Sequence, residues 1–372
     1  MSSFVRRTIP SPGSASALSL EEDSLPKGCQ TTPSGVSVTS LGVPSLDRLL
    51  LLGLPLGTAM SIREDWPRSS SNYSSLLLKC IIAEGLCLGQ KIVLLDCVEP
   101  DGEALLSALP APIKHDVQSP EDAHDGPVEA QKMTIAWRYR HLRQIDDEAR
   151  PSFRASAHGR AFDLGKRLSV AELLQRQGQN NGERPISVSV FDEAFAEKFL
   201  AACEETIRTS KNERSIVRIV IRSLGSPFMS RTPRLLYQIK RLVHSNADAA
   251  LLVYTLPAYS LEPSLVADLE SFGDVAMDFQ SFIGTAHAAN RALSEYNGFF
   301  RLIRPLRIPG SLALVVPETT DMAFKIKRRQ FVIETFHLPP DLSETPSRTA
   351  DTSKQIKPAS SCSSLQESKL EF

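Results

Sequence analysis

Short apolar segments alternate with longer amphipathic segments through the middle of the chain, over residues 57 to 279. The segments "GTAMSIR", "KIVLLDC", "SIVRIVIRSLG" and "ADAALLVYTLP" are brief and largely apolar, which is typical of strands covered on both faces. The stretches "SSNYSSLLLKCIIAEGLCLG", "DEAFAEKFLAACEETIRTS", "TPRLLYQIKRLVHSN" and "EPSLVADLESFG" read as helices, with apolar residues recurring at helical spacing. This alternation predicts an α/β fold with a mostly parallel, doubly wound sheet flanked by helices.

The end of the domain follows a different pattern. The segments "DVAMDFQSF", "GFFRLIRPLRIPG" and "FKIKRRQFVIETFHL" are typical of β-strands, and we expect them to form an antiparallel C-terminal edge. Nearer the start, "SLDRLLLL" predicts a short helix with Ser45 as its N-cap, and Gly89 is placed to end the long helix before "KIVLLDC".

Composition divides the chain into a domain and two tails. Residues 1–35 and 341–372 are rich in Ser, Pro, Thr or Lys, which predicts disordered N-terminal and C-terminal tails. Residues 36–340 form the predicted domain, with insertions at about 111–130 and 143–190. Between the two insertions we expect a strand at "KMTIAWRYR", and within the second insertion a helix at "LSVAELLQRQ" and loops at "DLGKR" and "NGER".

The overall charge of the chain gives it no general attraction to nucleic acid. The 372 residues include 42 Lys and Arg against 43 Asp and Glu, so any site for nucleic acid must be a local one. The apolar runs are too short to span a bilayer, and the N-terminus lacks the apolar core of a secretory signal, although its composition leaves a transit peptide open. We therefore expect no membrane partner.

The cysteines and histidines lack the spacing of a metal site. The six cysteines are scattered without a C-x-x-C pair, and the seven histidines complete no ligand set. This pattern predicts reduced thiols, no metal, and a cytoplasmic or nuclear location.

The connection after "GTAMSIR" lies where a phosphate-binding loop is expected in such a fold. A working loop requires G-x-x-x-x-G-K-[ST], because glycines let backbone N–H groups surround phosphate and the Lys neutralises its charge. Here the segment reads "REDWPRSSSNYSSLLL", without Gly or Lys, and Arg63, Glu64 and Asp65 occupy its start. Ser74 and Ser75 are placed to cap the following helix or to hold an anion; the alternative is a plain strand-to-helix connection.

A second acidic position is also changed. Phosphate-loop enzymes carry an Asp at the end of a later apolar strand that holds magnesium, and here the end of "IVRIVIRSLGS" carries Arg222. Because a guanidinium binds no magnesium and accepts no proton, hydrolysis of ATP by this chain alone is not expected. We predict no bound cofactor.

Basic residues concentrate near the C-terminal strands. On a strand, Lys325, Lys327 and Arg329 of "FKIKRRQF" point to one side beside Phe331, and Arg328 points to the other. Such a row could contact an RNA backbone, with Arg301, Arg304 and Arg307 as further candidates. The alternative is a solvated edge strand that Lys and Arg protect from aggregation.

Two levels of resemblance accompany these patterns. "TSLGVPSLDRLLLLGLPLGT" resembles the opening of RecA- and KaiC-like ATPases. "IAWRYR", "LGSPF", "EYNGFFRL", "DMAFKIKRRQFVIETFHLPPDLSETPSR" and the terminal "LEF" resemble the PAXNEB family, the fourth subunits of the Elongator complex. The resemblance covers about residues 36 to 345 and the extreme C-terminus, and it departs in the two predicted insertions.

The resemblance implies a function that composition alone does not. Family members have a RecA-like fold without a standard phosphate loop and form a heterohexameric ring with the fifth and sixth Elongator subunits. The ring binds tRNA and docks on the catalytic subcomplex of subunits one to three, which modifies wobble uridines, and ATP is turned over in the assembled ring. Two alternatives stay open, namely an active RecA-like ATPase with an unconventional site and a pure scaffold that does not contact RNA.

Overall fold

The computed structural model describes residues 25–32, 35–50, 52–64, 73–99, 102–113, 159–170, 185–190, 194–225, 232–307, 314–317 and 319–336. All of them belong to one compact unit, Met1–His337. The predicted strand "KMTIAWRYR", nearly all of the helix "LSVAELLQRQ", and the predicted C-terminal tail lie outside the described residues.

The strands, in chain order, are β1 (Cys29–Thr31), β2 (Ser37–Thr39), β3 (Leu54–Pro55), β4 (Ala59–Arg63), β5 (Lys91–Asp96), β6 (Pro110–Pro112), β7 (Phe162–Arg167), β8 (Ile186–Ser189), β9 (Val217–Arg222), β10 (Ala250–Leu256), β11 (Val275–Ser281), β12 (Gly298–Arg304), β13 (Leu306–Arg307), β14 (Leu314–Val315), β15 (Met322–Lys327) and β16 (Gln330–Thr335). The helices are α1 (Pro44–Leu49), α2 (Tyr73–Cys87), α3 (Glu103–Ser107), α4 (Phe195–Glu213), α5 (Thr232–Ser245) and α6 (Pro263–Ser271).

One nine-stranded sheet organises the described residues, in the order β16-β15-β12-β11-β4-β10-β9-β5-β8. Six neighbouring strands of this sheet are parallel to one another, namely β11, β4, β10, β9, β5 and β8. At the other end of the sheet, β12, β15 and β16 are each antiparallel to their neighbours. The predicted α/β class with a mostly parallel sheet and an antiparallel C-terminal edge is confirmed.

Two apolar cores cover the two faces of the sheet. One core contains α1 and α2 together with Phe162, Phe324 and Phe331, and the other contains α4, α5 and α6. Successive residues of a strand point to opposite faces, so β9 gives Val220 to the first core and Ile219 and Ile221 to the second. The helices and the central strands are therefore held by burial on both sides.

A polar network lies within the first core. Arg218 of β9 is fully buried and donates hydrogen bonds to the side chain of Gln90, to the Ile81 carbonyl oxygen at 3.0 Å and to the Thr39 hydroxyl at 3.1 Å. Asp47 of α1 lies close by and accepts hydrogen bonds from the Ser40 hydroxyl at 2.6 Å and from the Leu41 amide at 2.8 Å. Burial raises the pKa of Asp47 to about 7 and lowers the pKa of Arg218 to about 10.

Several predicted details were wrong. Ser45 is not an N-cap, because α1 begins at Pro44 with Val43 as its cap; the Ser45 hydroxyl instead accepts a hydrogen bond from the Ile333 amide at 2.9 Å. β11 pairs in parallel with β4 and is antiparallel only to β12. β1 pairs with β2 although it falls within the predicted N-terminal tail.

The predicted insertion at 143–190 contains two strands. The segment "DLGKR" belongs to β7, which pairs with β6, and β8 pairs with β5 at the edge of the main sheet. Both strands carry polar residues in alternation or in a run, so neither shows the apolar signal of a central strand. These two segments form strands because they pair with β6 and β5, and their own sequences do not predict it.

Every helix in the described part of the chain is too short or too polar to cross a lipid bilayer. The described residues likewise hold no group of three or more His, Cys, Asp or Glu side chains arranged to bind a metal ion.

Candidate functional site

The carboxyl ends of the parallel strands meet at one edge of the sheet, which is where such folds bind ligands. β4 ends at Arg63 opposite Leu256 of β10, and β5 ends at Asp96 opposite Arg222 of β9. The sheet therefore brings together the start of the connection without glycine and the position where a magnesium-binding acid is absent.

Glu64 fills the space directly after β4. Its Oε1 accepts hydrogen bonds from the Ser223 hydroxyl at 2.5 Å and the Thr255 hydroxyl at 2.6 Å, and its amide donates to the Leu256 carbonyl oxygen at 2.8 Å. Only 9% of Glu64 is exposed. This carboxylate already accepts the hydrogen bonds of the hydroxyls at the strand ends. A phosphate group placed there would therefore meet a buried negative charge.

Arg222 is held in place by acidic neighbours. Its guanidinium lies 3.1 Å from Asp96 Oδ2 and 3.7 Å from Glu99 Oε1. Asp96 is fully buried, and its Oδ1 also accepts hydrogen bonds from the Val98 amide at 2.9 Å and the Glu99 amide at 3.3 Å. Both carboxylate oxygens are thus engaged within the chain, and the cation stands where a metal ion would be expected.

Arg63 also has an internal partner. Its guanidinium makes a two-pronged ion pair with Glu270 of α6, in which the second hydrogen bond is 2.8 Å long. This hydrogen bonding raises the pKa of Arg63. Arg63 and Arg222 are therefore both paired with carboxylates inside the chain.

The remaining predicted residues of this connection are Ser74, Ser75 and Asp65. Ser74 lies in the first turn of α2 and is fully buried, while Ser75 is partly buried. Asp65 lies outside the described residues. The described residues at this edge do not fit a magnesium nucleotide, because the carboxylates of Glu64 and Asp96 are committed to hydroxyls, amides and a guanidinium.

Sequence reasoning missed three members of this site. Asp96 ends β5, Ser223 directly follows β9 and Thr255 lies in β10, so only the register of these strands brings the three residues together. Asp96 carried a usable signal, since it is the one acidic residue that ends the apolar strand "KIVLLD". The hydroxyls gave no signal of their own.

The basic segment near the C-terminus is a hairpin and not a continuous row. β15 ends at Lys327, and Arg328 and Arg329 form the two-residue turn to β16, with φ of 50° and 62°. Positive φ at both positions is the geometry of a type I′ turn. The prediction that Arg328 and Arg329 face opposite sides of a strand was therefore wrong, because the chain reverses at these two residues.

Lys325 is not available to a ligand in the way the sequence predicted. It is 9% exposed, forms an ion pair with Glu334, and lies over the Tyr296 ring with its Nζ 5.2 Å from the centroid. Phe331 is buried in the first core and stacks on Phe324 at 5.7 Å, so it cannot stack on a base. Lys327, Arg328 and Arg329 remain exposed.

The other predicted cations divide in the same way. Arg304 donates hydrogen bonds to the carbonyl oxygens of Ser271 and Gly273 at 2.9 and 2.8 Å, where it closes the end of α6. Arg301 is exposed and lies opposite Asp278 in the β11–β12 ladder, and Arg307 is exposed. Arg304 thus has a structural role, whereas Arg301 and Arg307 stay candidates for RNA contact.

Comparisons with known proteins agree with one another along almost the whole chain. A model of the family "PAXNEB protein" matches residues 22–372. The chain is 31% identical to Elongator complex protein 4 of Homo sapiens, over 88% of this chain and 85% of that protein. It is also 31% identical to the Mus musculus protein of the same name, over 91% and 87%, and 30% identical to the Xenopus laevis one, over 88% and 86%.

Among solved structures, the chain resembles the crystal structure of a KaiC-like protein from the hyperthermophilic archaeon Pyrococcus horikoshii OT3. The TM-score is 0.42 and the sequence identity is 11%, over 80% of this chain and 99% of the archaeal one.

Proposed function

The chain belongs to the PAXNEB family, and from that membership we propose that it is the fourth subunit of an Elongator complex and supports modification of tRNA. Its relatives named Elongator complex protein 4 extend over nearly its whole length, which supports a role within the same complex. Its RecA-like α/β fold supplies the scaffold of that role.

In this proposal the chain assembles with the fifth and sixth Elongator subunits into a heterohexameric ring. The ring binds tRNA and docks on the catalytic subcomplex of subunits one to three, which converts wobble uridines toward 5-carboxymethyl and 5-methoxycarbonylmethyl derivatives. A ring of similar subunits buries two different surfaces of each protomer. The five free thiols in the described residues, at Cys29, Cys80, Cys87, Cys97 and Cys203, support a reducing cytoplasmic and nuclear location.

The chain acts in this complex without catalysing a reaction and without holding a cofactor. One observation supports this most strongly: Glu64 is buried at the end of β4 and hydrogen-bonded by Ser223 and Thr255, where a nucleotide phosphate would have to bind. Any ATP turnover then belongs to the assembled ring and draws its catalytic carboxylates from other chains.

Isolation of the tagged chain with its native partners tests the assembly. We expect native mass spectrometry to give a six-membered ring that contains two other chains of similar fold. A free monomer that binds ATP would contradict the proposal and support an unconventional ATPase. A ring that forms normally but has no measurable affinity for tRNA would leave only a scaffold role.

The non-catalytic role has a separate test in the assembled ring. Asp96→Asn preserves the size of the side chain but removes the carboxylate at the end of β5. Because that carboxylate is already paired with Arg222, we expect the ATP turnover of the ring to stay within about twofold of the wild-type value. A loss of a hundredfold or more, with the mass of the ring unchanged, would show that this chain supplies a catalytic acid or base.

A further inference from the structure

The hairpin turn of β15 and β16 rests on a second basic segment. The amide of Leu164 in β7 donates a hydrogen bond to the Arg329 carbonyl oxygen at 2.8 Å. The stem of the Arg329 side chain lies over Gly165, so closely that a Cβ at residue 165 would be 2.8 Å from Arg329 Cδ. These contacts fix the turn beside the end of β7, where Lys166 and Arg167 follow.

The two segments together expose five cations. Lys166 and Arg167 are exposed at the end of β7, and Lys327, Arg328 and Arg329 are exposed at the hairpin. The side chain of Lys166 is 72% exposed, and its acidic neighbour Asp163 lies 3.8 Å away, a distance that leaves the Lys166 amine largely hydrated. We call these five residues the basic ridge.

A further cation connects the ridge with the carboxyl edge of the sheet. Lys79 of α2 is half-buried, and its pKa is lowered first by burial and then by the positive charges of Arg222 and, more weakly, Arg167. Lys79 therefore lies within electrostatic range of both the edge at β9 and the end of β7.

We propose that the basic ridge, with Lys166 and Arg167 as members, binds the phosphate backbone of tRNA. This inference rests on the proposed function, because the RNA is the substrate of the complex, and it deepens that function by assigning the contact to two segments far apart in sequence. The sequence indicated RNA contact for "FKIKRRQF" alone and gave no such indication for "DLGKR".

The chemistry of the ridge favours RNA over a protein partner. Stable protein interfaces are centred on buried apolar or aromatic anchors, whereas the ridge consists of charged side chains on flexible stems. Lys and Arg in such an arrangement contact phosphates and give affinity without a choice of sequence. The near-neutral charge of the whole chain makes this local concentration the source of attraction.

The test compares tRNA binding by reconstituted rings that carry different forms of this chain. Titration of a fluorescent unmodified tRNA transcript at several KCl concentrations gives both the affinity and its salt dependence. For Lys166→Glu with Arg167→Glu we expect at least a tenfold loss of affinity and a slope of log K against log salt that is smaller by about 1 to 2.

The matched control reverses two exposed cations on α4, Arg208→Glu with Lys211→Glu, which lies over the opposite face of the sheet. We expect this ring to bind tRNA within about twofold of the wild type. If the ridge variant also binds like the control while the wild-type ring binds tRNA, the ridge assignment is wrong and the proposed function stands. If the wild-type ring does not bind tRNA, the RNA-binding part of the proposed function is wrong, and the ridge with it.

Two further outcomes are decided in the same experiment. A ridge variant that keeps its tRNA affinity but no longer binds the catalytic subcomplex would overturn the proposal in favour of a protein-docking surface. Should the Glu variant fail to assemble, Lys166→Gln with Arg167→Gln removes the charges without adding new ones. That ring should lose at least threefold in affinity, and an unchanged affinity would overturn the proposal.

Discussion

Asp47 shows how burial changes the ionisation of a single residue. Its carboxyl is 4% exposed, and burial raises its pKa from 3.8 to about 7, although hydrogen bonds from Ser40 and Leu41 and the charge of Arg218 act in the opposite direction. The nearby charge of Glu84 adds to the rise. The folded chain therefore keeps a proton on Asp47 at pH values at which the unfolded chain has released it.

The stability of the chain should fall as this proton is lost. The stabilising contribution is complete below about pH 4 and disappears as the pH rises through about 7, and it amounts to roughly 4 kcal/mol at most. We expect Asp47→Asn to flatten this part of the pH profile of the free energy of unfolding, measured with urea between pH 4 and 8. Asp268→Asn, which changes an exposed carboxyl on α6, should leave the profile as it is.

Glu64 provides a second prediction at the scale of one residue. Glu64→Ala leaves the buried hydroxyl of Thr255 and the largely buried one of Ser223 without their acceptor, which should lower the free energy of unfolding by about 1–3 kcal/mol. Glu64→Gln keeps an acceptor oxygen and should cost less than about 1 kcal/mol. Urea denaturation of the two variants measures the difference, and equal losses would mean that the hydroxyls do not depend on this side chain.

The hairpin of β15 and β16 carries an unusual turn for its sequence. Arg328 and Arg329 both adopt positive φ. Residues other than Gly, Asn and Asp rarely do so, because Cβ then approaches the following carbonyl oxygen. Asn-Gly is the preferred sequence for such a turn. Two arginines at these positions therefore cost stability, and the chain retains their charge at the tip.

Replacing the turn should separate stability from binding. We expect Arg328→Asn with Arg329→Gly to raise the free energy of unfolding by about 1 kcal/mol, since the left-handed conformation is then favourable. The same change removes two cations of the basic ridge, so tRNA affinity of the assembled ring should fall at least fivefold. Thermal unfolding and tRNA titration measure the two effects; a gain in both stability and affinity would contradict this account.

The sequence predicts the elements that carry a strong signal of their own. The apolar runs of β4, β5, β9 and β10 and the helical spacing between them led to the correct class of fold and placed Arg63 and Arg222 at the carboxyl ends of parallel strands. β7 and β8 were missed, because edge strands are half polar and depend on their partners. The pairing of Arg222 with Asp96 could not be predicted from the sequence either, because it depends on the register between β5 and β9, which no local pattern indicates.

At the scale of the whole molecule, one sheet joins two cores. Leu77 of α2 is fully buried in the first core, and Phe199 of α4 is fully buried in the second. Strands β9 and β10 contribute residues to both, as Leu251 and Leu252 do on successive positions of β10. Loss of packing on one face therefore removes support from strands that hold the other face.

Unfolding should consequently be cooperative across the sheet. We expect Leu77→Ala and Phe199→Ala each to lower the stability of one shared transition, by about 2–5 and 3–5 kcal/mol respectively, because each leaves a cavity in a packed core. Calorimetry and far-UV circular dichroism of both variants should give coincident transitions. If one variant instead showed two transitions, with only one of them shifted, the cores would be independent, and the sheet edge that holds Glu64 and Arg222 would owe its rigidity to one face alone.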